Sequence, residues 1–179
     1  MKKIFKEYSG LMILAVIIIG LDQYTKYLVQ TNLAVGEIWS PWAWLAPYAR
    51  IIYWKNTGVA FGMFQSLGPV AAALAVVISA AIIYYYPRVP REDWALRLAL
   101  ILQLGGAIGN LIDRIRLGFV VDFVSVGNFA IFNVADSCIT VGVFVLMLGV
   151  FLQERREKKK NTLLSAQQNE DERVESSKD

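Results

Sequence analysis

The sequence predicts a mainly α-helical membrane protein: four transmembrane helices with a small extracytoplasmic β platform and a short interfacial helix. Three observations carry that expectation. Of the 179 residues, 56% are hydrophobic, above the roughly 45–50% of soluble chains, and the mean hydropathy is +0.45. The apolar residues gather in four runs: about Tyr8 to Tyr27, Gly68 to Tyr86, Trp94 to Ile112 and Ala135 to Leu152. Each run approaches the ~20 residues that cross a bilayer core. Lysine and arginine cluster at alternate ends of these runs.

The first run follows Lys2, Lys3 and Lys6, as the apolar part of a signal peptide would. It continues through LDQYTKYLV without a small-x-small cleavage site, so it reads as a retained span. Arg88, Arg91 and Arg97 surround the link between the second and third runs, and Arg155, Arg156, Lys158, Lys159 and Lys160 follow the fourth. By the positive-inside bias these regions share one face with the N-terminus, so both termini are expected in the cytoplasm. Residues 1–160 then form a single four-span domain. Residues 161–179, polar and charge-mixed, read as a disordered cytoplasmic tail.

Two segments lie on the outer side. Val29 to Leu67 carries Trp39, Trp42, Trp44, Tyr48, Tyr53 and Trp54, aromatics suited to the headgroup layer. Its WSPWAWLAPYA portion is expected to lie along the surface, either as a plain interfacial belt or as a cover for a substrate. RIIYWKNTGVAFGMF then reads as a strand, a turn at Asn56-Thr57-Gly58 and a return. GFVVDFVSV and NFAIFN, separated by Gly127-Asn128, predict a second hairpin.

The chain has no histidine and one cysteine, Cys138. Histidine triads, histidine–zinc sites, intrachain disulfides and four-thiolate metal sites are therefore excluded, and no metal or other cofactor is expected. Cys138 reads as a small buried hydrophobe. The net charge of +3 sits beside apolar segments rather than among aromatics, which favours a membrane surface over nucleic acid.

The acids of the outer face are the informative residues. Asp22 and Lys26, four apart, form either a mutual ion pair or a support for a nearby site. Asn110, Asp113 and Arg114 share a helix face after Gly105 and Gly109; Asp113 reads as a clamp on the following turn, and Arg114 stays open. Asn133 and Asp136 have the spacing of a capping box. Asp122 follows two valines in a predicted strand and has no such structural duty. Two carboxyl groups brought together in apolar surroundings share a proton. The ionised member can then activate water while the protonated one polarises a peptide carbonyl, and neither step needs histidine or metal.

Four motifs then fall in order: DQYTK at Asp22 to Lys26, NTGVAFGMF at Asn56 to Phe64, GGAIGNLIDRIRLGFVVDFV at Gly105 to Val124, and FNVADSCITVG at Phe132 to Gly142. Over roughly Ile13 to Leu152 the chain resembles the lipoprotein signal peptidases (signal peptidase II). The resemblance implies a globomycin-sensitive aspartyl endopeptidase of the bacterial inner membrane with its site at the extracytoplasmic face. It would remove the signal peptide from diacylglyceryl-modified prolipoproteins, cutting before the lipidated cysteine. By motif match the catalytic residues are Asp122 and Asp136. Asn56, Gly58, Asn110, Arg114 and Asn133 match positions lining that site, and Asp22 and Lys26 match the first motif. The expected partners are the prolipoprotein and membrane lipid, with no nucleic acid, and the expected state is a monomer. Three other readings use the same residues: a proton-coupled transporter, a non-catalytic assembly factor, and a serine–lysine protease built on Lys26 or Lys55. The acids at one face, with none across the midplane of the first two runs, weigh against the transporter.

Overall fold

A chain segment in lipid has no water to bond its peptide groups, so an apolar run closes its hydrogen bonds internally as a helix. All four runs do so in the computed structural model, which describes residues 2–58 and 67–176. The helices are α1 (Lys2–Asn32), α2 (Gly68–Tyr85), α3 (Trp94–Leu117) and α4 (Val134–Ser176). A single 3-10 turn, Tyr86–Arg88, extends α2 at Pro87. The stretches long and apolar enough to span a membrane are Tyr8–Asn32, Gly68–Arg88, Trp94–Leu117 and Val134–Thr162. The chain is thus a multi-pass membrane protein.

Helix α3 is central and packs on each of the other three. Leu11, Ala15 and Ile18 of α1, Ile82 of α2, Tyr86 of the 3-10 turn, and Ile101 and Leu104 of α3 form the buried apolar core. The outward faces are equally apolar: Ile13, Val77 and Phe144 are 63%, 64% and 67% exposed. Such faces suit hydrocarbon, not water. The α3–α4 seam is close because Gly106 lacks a side chain; a Cβ there would stand 2.5 Å from the Ala135 carbonyl oxygen. Gly118, with φ 80°, ends α3 in the left-handed conformation and donates its N–H to the Arg114 carbonyl.

A three-stranded antiparallel sheet caps one end of the bundle in the order β1 (Ile38–Trp39), β2 (Ala49–Asn56), β3 (Val120–Val126). Trp54 pairs with Asp122 and Asn56 with Val120. Val29, Tyr53, Val121 and Phe123 join the sheet to the end of α1.

Three local expectations are corrected. The second hairpin reduces to one isolated bridge, Val124 to Phe132, because the next residue, Asn133, already caps α4. The interfacial segment forms consecutive turns over 43–48 instead of a helix; Pro41 and Pro47 lack the N–H a helix needs. Where a disordered tail is expected, α4 runs on to Ser176, since no Gly or Pro interrupts a run rich in Lys, Glu, Arg, Gln and Leu. The return strand expected after Gly58 lies outside the described residues.

Charge, as well as packing, fastens the helices together. Lys26 Nζ lies 2.8 Å from Asp22 and 2.9 Å from Asp113, all three being buried. Asp22 also accepts the Ala135 N–H at 2.9 Å, in the first turn of α4. Asp113 accepts the Val121 N–H of β3 at 3.0 Å. Gln23 Nε2 adds bonds to Asp113 and the Gly109 carbonyl. The Asp22–Lys26 pair therefore forms, and Asp113 clamps α3 to the strand that follows it.

The seam gives a stability test. Gly106→Ala should cost about 1–3 kcal/mol, because the new methyl meets backbone rather than a movable side chain. Gly20→Ala, with nothing within 4 Å of its Cβ, should leave stability unchanged or slightly raised. Thermal unfolding of the two variants in detergent makes the comparison.

Candidate active site

The polar residues of the site converge from α1, β2, α3, β3 and the start of α4. Asn133 precedes α4, and its Oδ1 accepts the Asp136 N–H at 2.9 Å. Asp136 Oδ2 accepts the Asn133 N–H in return at 3.2 Å. This reciprocal capping box fixes the Asp136 carboxylate in the first turn, where the helix dipole favours an anion. Strand β3 brings Asp122, whose register partner is Trp54 of β2.

Asp122 is 1% exposed, yet both its oxygens have donors. Asn133 Nδ2 donates to Oδ1 and Asn56 Nδ2 to Oδ2, each at 2.8 Å. Asn56 Oδ1 accepts the Gly58 N–H at 2.9 Å, which closes the turn after β2. Asn110 Nδ2 donates to Asp136 Oδ1 at 2.8 Å. The Asn110 oxygen accepts from Lys26 at 3.0 Å and from Asn133 at 3.1 Å. Arg114 donates to the Asn110 and Gly58 carbonyls at 3.4 and 3.3 Å. Asn110, Asn133, Asp122, Asn56, Gly58 and Arg114 thus close a ring of hydrogen bonds. Asp136 is attached through both Asn110 and Asn133, and Lys26 links Asp22 to the ring.

A cavity of about 480 Å³ opens beside this ring. Asn56, Asp122 and Asp136 supply its acidic and amide groups; Phe129, Ile131, Phe132, Ser137, Ile139, Thr140 and Val141 complete the lining. Burial is the main cause that lifts the Asp122 carboxyl from its ordinary 3.8 to about 7, and the Asp136 charge adds to it. Hydrogen bonds from Asn56 and Asn133, and the Lys26 charge, act in the opposite direction. At neutral pH the buried pair therefore has a proton to share.

Asp22, Lys26, Gly58, Asn110, Arg114 and Asn133 do not line the cavity; they hold those that do, and each other. Trp39, Trp42, Trp44 and Tyr48 also lie outside the lining and are 53–68% exposed, which fits an interfacial belt. Among the described residues, no His, Cys, Asp and Glu are grouped to hold a metal ion. The apolar wall at Phe129, Ile131, Ile139 and Thr140 was not singled out from sequence. A spacing signal existed: Asp136, Ile139 and Thr140 fall on one helix face, and Phe129 and Ile131 alternate as an extended segment does.

Comparison with known proteins follows the same residues. A profile described as Signal peptidase (SPase) II matches residues 14–152. The Lipoprotein signal peptidase of Shouchella clausii is 40% identical over 151 residues, covering 82% of this chain and 96% of that protein. That of Symbiobacterium thermophilum is 41% identical over 150 residues, covering 81% and 96%. A solved structure titled "Bacterial membrane enzyme structure by the in meso method at 2.3 A resolution" superposes with a TM-score of 0.74 at 28% identity. It covers 81% of this chain and 89% of that one. With its four spans, its capping sheet and a profile match over residues 14–152, the chain belongs to the signal peptidase II family.

Proposed function

We propose that the chain is a membrane-embedded aspartyl endopeptidase that removes the signal peptide from diacylglyceryl-modified prolipoproteins, cutting before the lipidated cysteine. Family membership supports the removal of signal peptides from prolipoproteins. The observation that carries the aspartyl mechanism is that Asp122 and Asp136 line one cavity and both take N–H donors from Asn133.

The reaction needs one ionised and one protonated carboxyl group. In this reading Asp136, at a helix N-terminus whose dipole favours an anion, is the ionised member and takes a proton from water as the water oxygen bonds to the scissile carbonyl carbon. Protonated Asp122 donates to the carbonyl oxygen, which gains negative charge as the tetrahedral intermediate forms. Asp136 then delivers its proton to the leaving nitrogen, and the C–N bond breaks. The products are the signal peptide carboxylate and the free amine of the lipidated cysteine. Asp122 recovers its proton when the carbonyl re-forms.

The surroundings fit this substrate. A signal peptide is an apolar helix and can approach sideways between the lipid-facing spans, while the acyl chains stay in the bilayer. The basic residues at the opposite end of the bundle support cytoplasmic termini and an extracytoplasmic site in the inner membrane. The enzyme acts as a monomer in this reading, on prolipoprotein and among lipid, without a cofactor. Globomycin should inhibit it.

Two tests follow. Asp122→Asn and Asp136→Asn should each lower cleavage of a purified lipidated precursor by roughly 100- to 10,000-fold while the proteins remain folded by gel filtration. A transporter or scaffold would keep neither pattern, and wild-type cleavage by either variant would end the aspartyl reading. The second test is pH. Below about 7 Asp122 holds its proton, so kcat/KM should fall as pH rises through about 7 and fall again in acid as the second carboxyl protonates. The stability sign agrees with this: the folded state binds the Asp122 proton more tightly than the unfolded chain. Its contribution therefore declines from pH 3.8 to about 7, and Asp122→Asn should flatten that part of the Tm–pH slope.

A further inference from the structure

We propose that Lys26 is a positioning residue for the carboxylate pair, acting through the side-chain amide of Asn110. The inference rests on the aspartyl reading and assigns a task to a residue outside the cavity.

An ammonium group has three hydrogens and no acceptor. Lys26 directs them at Asp22 Oδ2 (2.8 Å), Asp113 Oδ2 (2.9 Å) and Asn110 Oδ1 (3.0 Å). The two carboxylates suffice to compensate its charge. The third bond goes to a neutral amide, and its consequence is directional. Asn110 has to present oxygen to Lys26, so its NH2 points the other way, onto Asp136 Oδ1 at 2.8 Å. In the flipped amide, NH2 would face the ammonium and the Asn133 NH2, and the carbonyl oxygen would face the Asp136 carboxylate. Every one of those contacts is repulsive.

The same Asn110 oxygen accepts from Asn133 Nδ2 at 3.1 Å. That fixes the second amide: Asn133 Nδ2 reaches Asp122 Oδ1, and Asn133 Oδ1 reaches the Asp136 N–H. One buried charge thereby sets the orientation of donors on both carboxylates. It also stabilises the negative charge that the pair carries. The charged and titratable groups around it are Asp22 from α1, Asp113 and Arg114 from α3, Asp122 from β3 and Asp136 from α4. Tyr53 of β2 faces Asp113 and stays neutral, burial and then that carboxylate pushing its phenol up.

The test measures cleavage of the lipidated precursor by Lys26→Met, per folded enzyme and across pH. Loss of both the orienting donor and the positive charge should lower kcat by roughly 10- to 100-fold with KM little changed, as outer-shell substitutions do. It should also move the alkaline limb of the profile to higher pH, since the pair then holds its proton more tightly. Lys26→Met combined with Asp113→Asn keeps the cluster's net charge at its original value and serves where the single variant does not accumulate; there kcat should still fall while the alkaline limb stays in place. In an Asn110→Ala background, which leaves both ion pairs in place, adding the Lys26 change should lower kcat little further. The inference is overturned by an unmoved alkaline limb in Lys26→Met alone, by unchanged kcat in either folded variant, or by an equal Lys26 effect with and without Asn110. Asp122→Asn in the same assay separates the two levels. Its inactivity beside a normal Lys26 variant sinks this inference alone, and its full activity sinks the aspartyl reading.

Discussion

A buried ammonium ion with no partner is among the most expensive things a membrane protein can contain. Much of this architecture follows from how Lys26 avoids that state. Its two counter-ions come from α1 and α3, and each carboxylate also accepts a backbone N–H from another element, Ala135 of α4 or Val121 of β3. Three helices and the sheet thus converge on one charge. Withdrawing any of them leaves an ion unmatched in low dielectric, so the cluster is cooperative in the way buried polar networks are.

That convergence decides where a pair of carboxyl groups can stand. Asp122 is the residue after Val121, whose N–H is held by Asp113, and Asp136 is the residue after Ala135, whose N–H is held by Asp22. The anchored peptide groups sit one position before each cavity acid. The amides of Asn110, Asn133 and Asn56 then fill the space between anchor and cavity, and they give every oxygen of the pair a donor. The contacts that orient the two cavity acids are thus continuous with those that hold the bundle closed.

Much of this could be read before the coordinates. Four runs near 20 residues leave little choice of fold, and Asp122 stands out because two valines and a phenylalanine surround it. Asn133 and Asp136 declared a helix start by spacing alone. What stayed hidden is long-range or competitive. No local pattern says that Asp22 caps the peptide of Ala135, 113 residues away. The hairpin expected at Phe129 to Asn133 lost to the capping box of α4, which claims Asn133 for itself. The tail's mixed charge argued for disorder, while its freedom from helix breakers argued for the α4 extension, and composition alone does not rank the two.

The cavity wall has one further property. Val141 lines it and is also 51% exposed on the outer side of α4, as Phe129 is 59% exposed on the loop. The apolar wall of the chamber therefore continues onto the outer surface of the bundle. In the proposed reaction one reactant is confined to the plane of the bilayer and the other, water, is drawn from bulk. Encounter frequency would then be governed by copies per unit area of bilayer, and diluting the membrane with inert lipid would slow turnover even when the molarity of every component stays fixed.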